Sequence, residues 1–290
     1  MDFLRPDTFA EALALKAGQP EAVPIAGGTD VMVELNFDHR RPAALLDLTR
    51  IAELREWSVA DGVVRIGAGV PYVRVIEELG DRLPGLAMAS RTVGSPQIRN
   101  RGTVGGNLGA ASPAGDTHPV LLAGDAAVEV ASTRGTRLIP ATEFYLGVKR
   151  NALRPDELIA AVHVPETRAP QQFSKVGTRN AMVIAVCSFA VALHPGERRV
   201  GAAVGSAAPT PRRATDAEEF LTGELVATNQ WESPKPLKDA VKRRFGELVA
   251  KAASPIDDVR GSAAYRKHAL SVLACRTLGW AWQDYTGKVA

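Results

Sequence analysis

The chain has 290 residues, 46% of them hydrophobic and 23% charged, an ordinary globular composition with material for two or three packed units. The formal net charge is +3, and 35 basic residues are interspersed with 32 acidic ones instead of forming an arm or an aromatic-rich stripe, which argues against nucleic acid as a partner. No run of eighteen apolar residues occurs, and Asp2, Arg5, Asp7, Glu11 and Lys16 interrupt any leader-like region, so the sequence predicts no membrane span and a cytoplasmic location.

Thr8 and Glu11 stand in the T-x-x-E relation of a capping box, and Phe9, Leu13 and Ala17 recur at helical spacing up to Gly18, predicting a first helix. Val23 to Ala26 reads as a short strand running into Gly27, Gly28, Thr29 and Asp30, with a helix after them. Leu45 to Leu48 and Val63 to Ile66 read as further strands bounded by turn residues. Pro71 sits where a helix can begin, with Val75, Ile76 and Leu79 on one face. A glycine-punctuated stretch then runs from Gly94 to Gly115, followed by apolar segments around Leu121, Val128 and Val130.

The pattern lapses around Arg168 to Gln171, the expected hinge into a last unit. Strand-like runs Met182 to Leu193 and Val200 to Val204 flank the turn-rich His194 to Glu197, predicting a hairpin. Two amphipathic helices close the chain, one carrying Leu237, Val241, Leu248 and Val249, the other Leu270, Leu273, Ala274, Thr277, Leu278 and Ala281. The reading is α+β, without a regular βαβ rhythm.

Two segments carry chemical signals. In Ala26-Gly27-Gly28-Thr29-Asp30, adjacent glycines after a strand permit positive φ and let backbone N–H groups approach an anion, while Thr29 adds a hydroxyl; alone, such a pair is more often a plain turn. The second, from Thr103 through Val104, Gly105, Gly106, Asn107 and Ser112 to Asp116, reads as a donor-rich loop suited to a pyrophosphate, closed by a carboxylate that can accept from sugar hydroxyls. Neither matches G-x-G-x-x-G in a strand-to-helix setting, and no G-x-x-x-x-G-K-[ST] occurs, which disfavours Rossmann and P-loop folds. Cys187 and Cys275 stand 88 positions apart and form no zinc or iron–sulfur set, so both read as small core residues and any cluster belongs to a partner.

At these segments the sequence resembles the FAD-binding medium subunit of the xanthine dehydrogenase and aerobic carbon monoxide dehydrogenase family. The matching stretches are Ala26 to Asp30, Gln97 to Asn107 with Ser112-Pro113 and Asp116 to Pro119, Asp156-Glu157-Leu158, Lys175 with Arg179, and Ser262 to Arg266, in family order along nearly the whole chain. The resemblance implies a vanillyl-alcohol-oxidase-type FAD-binding domain of two α/β subdomains, 1–55 and 56–170, followed by a small α+β C-terminal domain, 171–290.

It further implies that Ile25 to Asp30 (Ile25, Ala26, Gly27, Gly28, Thr29, Asp30) and Thr103 to Asn107 hold the pyrophosphate, that Asp116 binds ribityl or ribose hydroxyls, and that Val93, Ile159 and Lys175 flank the flavin. Lys175 would stabilise an anionic reduced flavin, although from the residue alone a solvated lysine is the plainer reading. No histidine stands in the first glycine segment, so dissociable, non-covalent FAD is expected, with His118 in no covalent role. Tyr265-Arg266 is expected to be structural.

The implied assembly is a molybdenum hydroxylase with a molybdopterin-binding large subunit and an iron–sulfur small subunit carrying two-iron two-sulfur clusters, extending to a dimer of heterotrimers. Electrons reach FAD singly and leave to NAD or another acceptor. No catalytic general base and no metal ligand is expected on this chain. The alternatives are a stand-alone flavoprotein oxidoreductase, for which no substrate-binding insertion is visible, and a non-catalytic assembly module, against which the intact glycines and Asp116 argue.

Overall fold

The computed structural model describes residues 1–289. The first sheet is built from β1 (Asp2–Leu4), α1 (Phe9–Gly18), β2 (Val23–Ile25), α2 (Val31–Asn36) and β3 (Ala44–Asp47), with the parallel strand order β1-β3-β2. The capping box forms as read: the Thr8 side chain accepts from the Glu11 N–H at 3.2 Å, and the Glu11 carboxylate accepts from the Thr8 N–H at 3.3 Å. Because β2 and β3 are parallel, with Ile25 opposite Asp47, segment 26–30 leaves the sheet at the carboxyl ends of its strands. That edge is where open parallel sheets offer backbone donors to ligands.

The second unit contains β4 (Trp57–Ala60), β5 (Val63–Gly67), α3 (Tyr72–Glu78), α4 (Pro84–Arg91), α5 (Pro96–Arg101), α6 (Val104–Ala110), α7 (His118–Ala123), β6 (Ala127–Ser132), β7 (Gly135–Pro140), α8 (Ala141–Phe144), β8 (Tyr145–Gly147), β9 (Arg150–Asn151) and β10 (Leu158–Pro165). Its large sheet is antiparallel in the order β4-β5-β10-β6-β7. The stretch read as a glycine-rich loop contains two short helices, α5 and α6. Caps account for the difference: the Ser95 hydroxyl accepts from Ile98 N–H at 3.3 Å and the Thr103 hydroxyl from Gly106 N–H at 2.9 Å, each satisfying a first-turn donor. Glycines inside a helix cost about 1 kcal/mol each relative to alanine, so α6 owes its existence to these ends and to packing. Gly105 is required by that packing, since a Cβ there would lie 2.5 Å from both the Cβ and the carbonyl oxygen of Ala68.

The third unit runs through β11 (Gln171–Val176), β12 (Cys187–His194), β13 (Arg199–Gly205), β14 (Arg212–Arg213), α9 (Thr215–Ala227), α10 (Asp239–Ala252) and α11 (Ala263–Val289). The hairpin forms with Leu193 opposite Val200, but its first strand starts at Cys187: Met182 has φ of +50°, outside the extended range, so 182–186 approach the sheet irregularly. Helix α9 lacked a clear apolar stripe in the sequence and was not anticipated.

Alternation along β12 and β13 decides what this sheet packs against. Cys187, Phe189, Val191 and Leu193, with Val200, Ala202 and Val204, face α9–α11 in one core; Ala190, Ala192 and Ala203 join the core of the first two units. The second face is small because α7 lies close: a Cβ on Gly201 would overlap the Ala123 carbonyl, and one on Gly205 would lie 2.7 Å from Pro119 Cγ. Cys187 is buried as expected, whereas Cys275 is half-buried, its thiol donating to the Lys242 carbonyl at 3.0 Å.

Candidate functional site

The two glycine segments meet. Gly27 abuts the backbone at the end of α5 so closely that a Cβ would overlap the Arg101 carbonyl, and Thr29 Oγ1 lies 3.4 Å from the Cβ position of Gly102. Only glycine allows this approach. Gly28 adopts φ of +75°, turning the chain from β2 into α2. Among the described residues, the N–H groups of Gly28 and Thr29 find no acceptor within the chain, and Gly105, in the first turn of α6, has no helical acceptor for its own. Free backbone donors gathered at one junction have the chemistry that suits an anion. Asp30 contributes through its backbone only: it caps α2 without a side-chain hydrogen bond, and its exposed carboxylate would repel a phosphate.

Asp116, just before α7, is buried at 8% exposure and faces Lys175 on β11, with Nζ to Oδ2 at 2.6 Å. Thr92 Oγ1 donates to the same oxygen at 3.0 Å, and Lys175 Nζ also donates to the Thr92 carbonyl at 3.1 Å. The other carboxylate oxygen, Oδ1, is buried without a partner. Burial raises the Asp116 pKa, opposed by the Lys175 ammonium and the Thr92 hydroxyl. Lys175 is therefore no solvated surface lysine. β11 places it there by register: Gln171, Phe173 and Lys175 share the face toward α4, where Gln171 Oε1 accepts from Gly85 N–H at 3.1 Å, while Ser174 on the opposite face accepts from Thr277 of α11.

The remaining expected residues fall around this core. Val93 is half-buried in the turn after α4, its carbonyl accepting from Arg99 Nη1 at 3.2 Å. Ile159 is 7% exposed on β10, its Cδ1 3.8 Å from the Cβ position of Gly109 on α6. Asn107 and Ser112 serve the site's own scaffold: Asn107 Oδ1 accepts from the Thr117 hydroxyl at 2.9 Å, and the Ser112 hydroxyl from Ala114 N–H at 3.3 Å. Val104 is fully buried and Ile25 ends β2, its carbonyl bound by Leu48 N–H at 2.9 Å.

Sequence reading missed Thr92 and the packing layer beneath α6, although it had named His118. There His118 is fully buried, 4.8 Å between ring centroids from Tyr145, and packed against Gly115, whose Cβ would lie 2.6 Å from Nδ1. Burial lowers the His118 pKa to about 4, so the ring is neutral near pH 7 and acts as packing. A histidine directly after the Asp116-Thr117 pair was the available signal. Arg266 is structural, as expected: at 4% exposure it donates to the Ser206 carbonyl at 2.7 Å and pairs with Asp258, while Ser206 N–H donates to the Pro113 carbonyl at 2.8 Å. Tyr265 is exposed.

Backbone donors at an open sheet edge, a buried acceptor awaiting a donor and an apolar flank define a dinucleotide-binding chain of α+β architecture. Residues 1–167 match the FAD-binding domain of molybdopterin dehydrogenases, and residues 172–281 match the C-terminal domain of the carbon monoxide dehydrogenase flavoprotein. The chain belongs to this family of FAD-binding subunits of molybdenum hydroxylase-type dehydrogenases.

It is 32% identical to the xanthine dehydrogenase FAD-binding subunit of Escherichia coli O157:H7, over 98% of this chain and 97% of that one. The nicotine 6-hydroxylase medium subunit of Paenarthrobacter nicotinovorans is 30% identical, with 95% of each covered. Among solved structures, carbon monoxide dehydrogenase from Hydrogenophaga pseudoflava superposes with a TM-score of 0.88 at 27% identity, covering 98% of this chain and 97% of that chain.

Proposed function

We propose that the chain holds FAD non-covalently across the junction of the two glycine segments, takes electrons from two-iron two-sulfur clusters on a small partner subunit and delivers them to NAD or another acceptor. Substrate oxidation then belongs to a molybdopterin-binding large partner subunit, in a heterotrimer or a dimer of heterotrimers. The observation that carries the placement is the unpartnered, buried Oδ1 of Asp116: a buried acceptor without a donor costs about 1–3 kcal/mol, and a ribityl or ribose hydroxyl supplies that donor.

The chain's own groups have distinct tasks. Gly28, Thr29 and Gly105 present N–H groups to a pyrophosphate, and Asp116 accepts from a sugar hydroxyl. Lys175 opposes the burial that raises the Asp116 pKa and holds the carboxylate by an ion pair; Val93 and Ile159 give an apolar flank. When bound, flavin supplies the conversion between single-electron and two-electron transfer, and the protein supplies binding, orientation and electrostatic tuning.

The named relatives act on xanthine, nicotine and carbon monoxide, so one fold serves substrates of unrelated chemistry, as expected if substrate never meets this subunit. Purification of the chain from its native host, followed by metal and flavin analysis, tests the reading. It expects molybdenum, iron and FAD to co-elute with two further chains; a fully active single chain lacking both metals would refute it.

A further inference from the structure

The β8–β9 hairpin turns at Lys149, whose φ of +53° lies in the left-handed region that glycine enters at less steric cost. Two donors of this hairpin rest on the end of α6: Lys149 N–H donates to the Ala111 carbonyl at 3.2 Å, and Asn151 Nδ2 donates to the Gly109 carbonyl at 2.9 Å. A lysine held where glycine fits more easily points to a task for its side chain. That side chain leaves the hairpin for the first unit, where Nζ meets Glu34 Oε1 of α2 at 2.7 Å, 115 positions away in the sequence.

Both ends of this link lead to the glycine segments. Glu34 N–H donates to the Asp30 carbonyl at 3.2 Å, so α2 continues directly from segment 26–30. α6 continues from Thr103, just after the backbone of Arg101 and Gly102 against which Gly27 lies. The ion pair therefore joins α2 to the end of α6. Its charge matters as well. Asp30 and Glu34 put two carboxylates beside the place proposed for a diphosphate, and both act on Lys149: the Glu34 hydrogen bond raises the lysine pKa most, burial opposes it, the Asp30 and Glu34 charges add to the rise, and Arg40 lowers it.

We propose that Lys149 is a positioning residue for FAD: through Glu34 it holds α2 and segment 26–30 in register with α6, and it offsets carboxylates that would otherwise repel the diphosphate. The inference rests on the flavin reading above. It assigns no contact between Lys149 and the cofactor. With half of the lysine side chain in solvent, the pair contributes little to folding, so its effect falls on ligand binding.

The test is dilution of the flavin-loaded protein, with FAD release followed by recovery of flavin fluorescence, for the wild type, Lys149→Arg, Lys149→Glu and the swapped double variant Lys149→Glu/Glu34→Lys. Lys149→Glu adds a third carboxylate beside Asp30 and Glu34. It is expected to weaken FAD binding ~10-fold, by less as salt rises, with the circular dichroism of the folded chain retained. Lys149→Arg and the swapped variant keep the pair and are expected within about threefold of wild type. Wild-type affinity in Lys149→Glu overturns the proposal. A swapped variant as weak as Lys149→Glu overturns it too, assigning Lys149 to direct contact with the cofactor, and an unfolded Lys149→Glu chain overturns it by assigning the pair to stability. Wild-type protein that takes up no FAD shows instead that the flavin reading has failed, and the proposal with it.

Discussion

Asp116 and Lys175 are separated by 59 positions and meet at 2.6 Å, each nearly out of water. Their attraction is worth keeping only because removal of one partner leaves the other buried and unpaired. Asp116→Asn is therefore expected to weaken FAD binding by ~10- to 100-fold, the loss of a charge-assisted hydrogen bond, read as quenching of flavin fluorescence on titration. His118 makes a second residue-scale claim. Its folded pKa of about 4 lies below the unfolded value near 6.5, so the unfolded chain binds more protons between these limits. The neutral ring's contribution is complete above pH 6.5 and is lost as pH falls toward 4. Urea unfolding should lose about 2 kcal/mol between pH 7 and pH 5 from this group alone, and His118→Phe should flatten that slope. An unchanged slope would contradict the assignment.

At the scale of elements, α6 is the informative case. Its glycines read as a loop in the sequence, because Gly105, Gly106 and Gly109 are poor helix formers and no local pattern announces that Ala68 will press against Gly105. The Thr103 cap was legible as a residue type but not as a cap, since its partner is a backbone N–H inside the same glycine run. By contrast α1 was fully legible, its capping box being a local device. β12 shows the intermediate situation: the apolar run was visible, but its start at Cys187 is set by the backbone conformation at Met182, which composition does not encode. Gly105→Ala puts a methyl 2.5 Å from Ala68 and is expected to cost roughly 1–3 kcal/mol in urea unfolding, the range of core overpacking. An exposed glycine of the same helix, Gly106→Ala, has only the flexible Thr103 hydroxyl 3.0 Å from its Cβ and should cost less; equal effects would argue against close packing as the reason for Gly105.

At the scale of the molecule, the site is a product of the three larger sheets. The first sheet delivers Gly28 and Thr29, the second delivers α6 and Asp116, and the third reaches in with Lys175 because its small-residue face lets α7 approach. Arg266 on α11 extends this dependence to the far end of the chain through Ser206 and Pro113. The candidate site residues were therefore visible in the sequence only as types in order, whereas the meeting of Asp116 with Lys175 arises from tertiary register. The flavin at the junction is the claim on which electron transfer by this chain depends. Its most direct test is the absorption spectrum of the purified protein before and after acid precipitation. Flavin bands in the native protein, with the chromophore released into the supernatant and identified there as FAD, are the expected result. A colourless chain that cannot be reconstituted with FAD, or colour that stays with the precipitate, would contradict the account of a dissociable FAD.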